Sequence, residues 1–334
     1  MKVSIVGLGR MGQNHLQACR SLGLDVVSVC DPKISLADIL KLSPGSSHYG
    51  DMGSMIAKEV PDLGIIATTA DSHFEIARKM IESGVKYILC EKPVVSNLDD
   101  GNALLALVEN SKVRFAVNHQ MRFMETYKIV KNLSAKFSLG ELRAMTVSGS
   151  NIGLAMNGTH YFEAFSWLTK SRITRVTSWL DDEVLTNPRG VNFKDNSGQV
   201  LCRNDKNQRL YLDIGVDIGH EIIVDYAFRN GHITVNELEG FGSVVARNID
   251  SISEKTSRYG LPGINENFIF STLSTAETSA LTLSELISGG DYPDISDGIH
   301  SVSVAFAAIK SHERGSTEVA IEDLKNFDNS QPWA

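Results

Sequence analysis

The sequence predicts an α/β protein in two parts: a doubly wound parallel sheet over residues 1–119, then an α+β unit with an open, largely antiparallel sheet over 120–334. Three observations lead there. Short runs that are apolar on both faces alternate with amphipathic stretches through the first 118 residues. A glycine-rich turn joins the first such run to the first amphipathic stretch. Beyond about residue 120 the strand-like runs lengthen and alternate apolar with polar. A strand apolar on both sides needs helices on both faces of its sheet, whereas an alternating strand needs only one covered face.

Taken in order, residues 3–6 read as strand, 11–22 as helix and 26–30 as strand. Residues 34–42 and 52–60 read as helices and 63–68 as strand; 73–83 is a helix with Phe74, Ala77, Met80 and Ile81 on one face. Residues 87–90, 98–108 and 114–117 continue as strand, helix, strand. A helix over 125–136 then leads into strands at 142–148, 173–180, 208–217 and 221–228. Leu210, Leu212, Ile214 and Val216 show the period of two that suits a sheet with one buried face. Helical stretches at 158–168, 276–287 and 297–312 are expected to cover that face. The bare face of an open sheet needs a partner surface, which predicts a homodimer or homotetramer.

Composition narrows the class of function. A chain of 334 residues exceeds one ordinary core, and 42% hydrophobic with 22% charged residues is a globular balance. The net charge of −8 and the lack of a Lys/Arg cluster argue against nucleic acid. No apolar run approaches the roughly 20 residues of a membrane span, and no signal-peptide pattern opens the chain, so a cytoplasmic protein without membrane contact is expected. Cys19, Cys30, Cys90 and Cys202 form no Cys-x-x-Cys pair and read as reduced packing residues. The nine histidines show no metal-ligand spacing, so no metal is expected.

Gly7-Leu8-Gly9-Arg10-Met11-Gly12 sits between the first strand and the first helix. There Gly7 permits a tight turn, Gly9 lets backbone approach a pyrophosphate, and Gly12 lets helix pack on sheet; the helix N-terminus favours the anion. Arg10 and Met11 open that helix and join the candidate cofactor contacts. Asp31 ends the second strand, 19 residues after Gly12, where a carboxylate bonds ribose hydroxyls and repels a 2′-phosphate. NAD is the expected cofactor, with NADP open because Lys33 follows. Thr68 and Thr69 end the next strand at the ligand crevice. His73 either contacts the cofactor or is an ordinary residue at a helix start. Glu91 and Lys92 leave the strand 87–90 toward the same crevice, where Lys92 is either a group that polarises an oxygen or a solvated loop lysine.

With GLGRMGQNHL at 7–16, ATTADSH at 67–73, CEKPV at 90–94, NHQMRF at 118–123, LGEL at 139–142 and GTHYFEAFSWL at 158–168, the chain resembles the glucose–fructose oxidoreductase, inositol dehydrogenase and rhizopine-catabolism (Gfo/Idh/MocA) family. The closing DGIHSVSVAFAAIKSHERG at 297–315 is similar to the family's late helix. The resemblance implies a Rossmann domain followed by an α/β domain whose sheet mediates oligomers. It also implies hydride transfer between a nicotinamide and a hydroxyl-bearing carbon of a sugar, cyclitol or sugar nucleotide. On it, Lys92 and His160 are the catalytic pair, with Asn118 and Arg122 bordering the nicotinamide and substrate. A neutral His160 would accept the hydroxyl proton, and Lys92 would stabilise the charge growing on oxygen. Read from spacing alone, His160 is equally a core histidine at a helix start.

Many relatives carry an aspartate four residues before that histidine, where this chain has Met156. Asn157 is the nearest polar neighbour, Glu163 lies on the same helical face, and Tyr161 is a further candidate substrate contact. The departure puts the orienting acid, and with it the substrate class, in question. Two other functions stand beside the dehydrogenase: a non-catalytic sensor of cofactor or sugar, and a glycosidase that uses NAD for transient oxidation.

Overall fold

A computed structural model describes residues 1–182, 185–186, 190–255, 263–324 and 330–333. Its first sheet uses β1 (Lys2–Val6), β2 (Asp25–Cys30), β3 (Ser47–Tyr49), β4 (Leu63–Ile66), β5 (Tyr87–Cys90) and β6 (Arg114–Val117). They lie in the order β3-β2-β1-β4-β5-β6, all parallel, with helices α1 (Arg10–Ser21), α2 (Leu36–Leu42), α3 (Met52–Lys58), α4 (Ala70–Glu82) and α5 (Leu98–Glu109) between them. Strand order reverses between β1 and β4, which opens a crevice at their carboxyl ends. β1, β4 and β5 are almost wholly buried, as expected of strands covered on both faces. α4 starts three residues earlier than its apolar face suggests, because extended Thr69 turns the chain and Asp71 sits in the first turn.

After helix α6 (Glu125–Lys136), the second sheet begins with β7 (Leu142–Ser150), followed by a π-helical turn at Leu154–Gly158 and helix α7 (Thr159–Thr169). Next come β8 (Ile173–Leu180), the two-residue pair β9 (Leu185–Thr186) and β10 (Lys194–Asp195), then β11 (Gly198–Asn204), β12 (Arg209–Gly215), β13 (Ile223–Phe228), β14 (Gly231–Asn236), β15 (Phe241–Arg247) and β16 (Gly263–Ile269). Helices α8 (Thr275–Ser288) and α9 (Ile295–Glu313) and the short β17 (Val319–Ala320) complete the described elements. The nine-stranded sheet runs β16-β15-β14-β13-β7-β12-β11-β8-β17; only β7 and β12 pair parallel. β11, β14 and β15 escape the sequence reading because each shows only a short alternation, interrupted or flanked by glycine.

Helices α7 and α9 cover the inner face of this sheet, and Phe162, Phe165, Val302 and Phe306 share one apolar cluster with Leu210 and Leu212. Trp179 and Tyr211 stay exposed. Helix α8, expected on the same face, packs instead on the first sheet: Ala280, Leu283 and Leu286 share an apolar cluster with Leu16, Ala18 and Cys19 of α1. The apolar period of a helix shows that one face is buried, but not which sheet buries it. Strand β6 and the start of α9 are joined through Val117 N donating to Pro293 O at 2.9 Å. Among the described residues no helix is long and apolar enough to cross a membrane.

Candidate active site

The glycine turn has the geometry a dinucleotide requires. Gly7 has φ +87°, and a Cβ there would meet Ala67 O at 2.6 Å. A Cβ on Gly12 would lie 2.0 Å from Gly7 O, whereas one on Gly9 would meet no protein atom within 4 Å. Gly7 and Gly12 are therefore needed by the protein, while the space beside Gly9 is open to a ligand. Beside it is a cavity of about 790 Å³ whose walls include Arg10, Met11, Asp31, Thr68 and Thr69. That volume suits a cofactor-sized molecule.

Asp31 is buried, and its carboxylate holds the turn in place. Oδ2 accepts from Leu8 N at 2.8 Å, and Oδ1 from Lys33 N at 2.8 Å. Ile34 N donates to Oδ1 as well, at 3.3 Å; of about four lone-pair sites on a carboxylate, one on Oδ2 remains for a ribose hydroxyl. Lys33 and Asp51 also line the cavity, and so does Phe193, which arrives from the connection between β8 and β11. His73 is buried rather than at the surface, with Nδ1 at 3.0 Å from Pro93 O and Nε2 at 3.2 Å from Thr68 O. It ties the end of β4 to the segment after β5, and burial lowers its pKa.

One strand over, Glu91 follows β5 and is held from two sides. Its Oε1 lies 2.7 Å from His15 Nε2 and accepts from Asn118 Nδ2 at 2.8 Å. Burial alone would raise the Glu91 pKa, but His15, Lys92 and Asn118 outweigh it and bring it down to about 2. Asn118 also donates to Ser279 Oγ at 3.3 Å, and its own Oδ1 is buried without a partner among the described residues. Such an orphan acceptor beside the crevice is where an amide donor of a bound molecule would find a partner. The open flank of Gly9, the spare acceptor site of Asp31 and this orphan oxygen fit NAD.

Half-buried Lys92 donates to the carbonyl of Met156, in the π-helical turn that precedes His160. His160 is 6% exposed, and its Nδ1 lies 3.3 Å from Nδ1 of His119. On the far side of that ring, His119 Nε2 is 3.0 Å from Ser301 Oγ. Burial, then the charge of Lys92, then His119 lower the His160 pKa well below its usual value, so the ring is neutral.

A carboxylate absent from the sequence reading stands here as well. Asp195 of β10 accepts from the backbone amides of Ala155 at 2.9 Å and Met156 at 2.7 Å. A Cβ on Gly153, which has φ +77°, would sit 2.2 Å from Asp195 Oδ2, so the approach depends on that glycine. Burial raises the Asp195 pKa to about 6, opposed by these amides and by Lys92. Met156 thus lacks the acid itself, while a carboxylate from another strand caps its backbone.

The remaining candidates separate. Asn157 donates from Nδ2 to Ile152 O at 2.6 Å and so braces the π-helical turn. Arg122 is buried and bound to three carboxylates: Glu163, Asp291 at 2.8 Å and Asp297 at 2.6 Å. Burial opposes its charge, but those acids outweigh it and raise its pKa. Glu163 is therefore engaged with Arg122 rather than with His160. Tyr161 turns away into a buried cluster, where its hydroxyl donates to Glu237 at 2.7 Å beside Tyr127 and Tyr226. Consecutive helical residues point about 100° apart, which explains why neighbours His160 and Tyr161 face different surroundings.

Fold and cradle are those of an NAD-binding Rossmann protein, and comparison with known proteins shows which oxidoreductases the chain is similar to. The model for an oxidoreductase family with an NAD-binding Rossmann fold, that of Gfo/Idh/MocA proteins, matches residues 1–119. Over that domain the chain is similar to the Gfo/Idh/MocA oxidoreductases. It is 22% identical to inositol 2-dehydrogenase of Corynebacterium glutamicum over 260 residues, covering 72% of this chain and 75% of that one. An oxidoreductase from Agrobacterium radiobacter, solved with NAD+, L-tartaric acid and magnesium, superposes with TM-score 0.80 at 18% identity, covering 97% and 99%. Levoglucosan dehydrogenase, solved with NADH and levoglucosan, gives 0.78 at 17%, covering 96% and 99%.

Proposed function

We propose that this protein is an NAD-dependent dehydrogenase that oxidises a hydroxyl-bearing carbon of a sugar or cyclitol, with His160 as acid/base and Lys92 as the group that polarises the oxygen. One observation carries the reading: Lys92 bonds the Met156 carbonyl in the turn just before a neutral His160 and acts on that ring through its charge, one strand from the dinucleotide cradle. Bound NAD supplies the acceptor for the hydride that leaves carbon. His160 takes the hydroxyl proton as the C–O bond gains double-bond character, and later releases it to solvent. Lys92 donates a hydrogen bond to the same oxygen and opposes the growth of negative charge on it. Asp195 holds the turn that carries the Met156 carbonyl and so places Lys92. Inositol and levoglucosan, which appear in the names of relatives, are both polyhydroxylated rings, and this supports the substrate class.

NAD is preferred over NADP on this reading, because the buried Asp31 carboxylate stands at the ribose while Lys33 is exposed. Residues 1–119 form the cofactor domain and 120–334 the substrate domain, with α8 packed back on the former. The bare outer face with Trp179 and Tyr211 serves a homodimer or homotetramer. The four buried free cysteines suit a reducing cytoplasm. A panel of cyclitols, aldoses, polyols, anhydrosugars and sugar nucleotides, followed by absorbance of the reduced nicotinamide with NAD and NADP in parallel, tests the proposal. Net NAD reduction by a ring polyol is expected. Sugar release without net reduction would indicate a glycosidase, and binding without turnover a sensor.

A further inference from the structure

We propose that His119 and Ser301 fix the tautomer of His160, so that its Nε2 is the bare nitrogen available to the substrate hydroxyl. The inference rests on the reading of His160 as acid/base and makes His119 and Ser301 positioning residues. Four groups lie in a row: Gly298 O, Ser301 Oγ, His119 and His160. Ser301 Oγ is 2.8 Å from Gly298 O and 3.0 Å from His119 Nε2, and His119 Nδ1 is 3.3 Å from His160 Nδ1. The two rings meet edge-on, with an interplanar angle of 87°.

A hydroxyl has one proton and two acceptor lone pairs. If Ser301 gives its proton to Gly298 O, it accepts from His119 Nε2–H, and both of its close contacts are satisfied. If it gives the proton to His119, two oxygens are left 2.8 Å apart with no proton between them. The first arrangement is favoured. His119 then carries its proton on Nε2 and presents a bare Nδ1. His160 must fill the Nδ1–Nδ1 contact with its own proton, which leaves Nε2 bare. His160 Nε2 has no hydrogen-bond partner among the described residues, as a nitrogen kept for a ligand requires.

The alternative, a doubly protonated His119, is opposed by its surroundings. Burial first, then the charges of Lys92 and Arg122, lower its pKa to about 3, against a weaker pull upward from Glu91. All of the protons in the row therefore point away from the substrate side. Such a chain is mutually reinforcing, since each bond polarises the next.

The test is a long-range ¹⁵N–¹H spectrum of the full chain labelled at histidine, with His160 assigned by the signal lost in His160→Gln. It is expected to show His160 protonated at Nδ1 and bare at Nε2, with His119 the reverse. A wild-type His160 protonated at Nε2 would overturn the proposal. Ser301→Ala removes one oxygen and deprives His119 Nε2–H of its acceptor. It should shift the His119 and His160 signals toward the opposite tautomers and lower kcat by about 10- to 100-fold, the usual loss when a working side chain loses its orienting partner. The Kd for NAD should not change. Unchanged spectra and kcat in Ser301→Ala would remove Ser301 from the relay. Full turnover in His160→Gln would instead sink the acid/base reading itself, whatever the tautomer.

Discussion

Replacing Asp195 by asparagine should remove part of the protein's pH-dependent instability. Asp195 is buried against the amides of Ala155 and Met156, with its pKa raised from 3.8 to about 6. A raised carboxyl binds its proton more tightly in the folded state than in the unfolded chain. Stability from this group is therefore fullest below 3.8, falls as pH rises toward 6, and is flat above that. A shift of that size costs roughly 1–2 kcal/mol near pH 5 and about 3 kcal/mol near pH 7.5. Asparagine keeps an acceptor oxygen but cannot ionise. Whatever fixed offset the exchange brings is the same at both pH values and cancels in the comparison. Urea unfolding of the cofactor-free protein should show Asp195→Asn gaining roughly 1–2 kcal/mol on wild type between near pH 5 and near pH 7.5. An offset equal at the two pH values would mean that Asp195 titrates like an exposed acid, and would contradict the raised pKa that its burial produces.

Two further predictions concern the cradle. Gly12→Ala places a Cβ 2.0 Å from Gly7 O and should cost about 1–3 kcal/mol of stability as well as NAD affinity, whereas Gly9→Ala meets no protein atom and should weaken NAD binding alone. Unfolding midpoints and calorimetric titration with NAD separate the two, and equal loss of stability in both variants would contradict the geometry. Asp31→Ala removes the acceptor for Leu8 N and Lys33 N. It should weaken NAD by about tenfold or more and narrow its advantage over NADP, the loss expected for charge-assisted bonds. Wild-type protein that binds NADP more tightly than NAD would place control of the site with Lys33 or Arg10.

Five strands of the first sheet were legible because they are largely apolar and the glycines stand at the turn between β1 and α1; the edge strand β3, Ser-His-Tyr, was not, being short and polar. The places of Asp31 and Lys92 were legible for the same reason, since both follow the ends of parallel strands; their roles remain part of the proposal. Helix α8 was recognised as a helix but not placed, because Leu283 and Leu286 fit any apolar groove. Asp195 gave no signal: it lies in an irregular connection, and only the folded chain brings it to Met156. His119 stood within the segment 118–123 without a role, since its use depends on Ser301, 182 residues away. Tyr161 and Arg122 show the converse. Their sequence positions border His160 and Asn118, but Glu237 binds the tyrosine, and Glu163, Asp291 and Asp297 bind the arginine.

The central claim is that His160 moves the hydroxyl proton while the dinucleotide cradle acts independently of it. Its most direct test is turnover and NAD affinity measured together in His160→Ala, on the best substrate of the ring-polyol panel. With His160 as the acid/base, kcat should fall by a factor on the order of 10²–10⁴, the usual worth of such a group, while the Kd for NAD stays at the wild-type value. A variant that kept more than about half of its turnover would contradict that assignment.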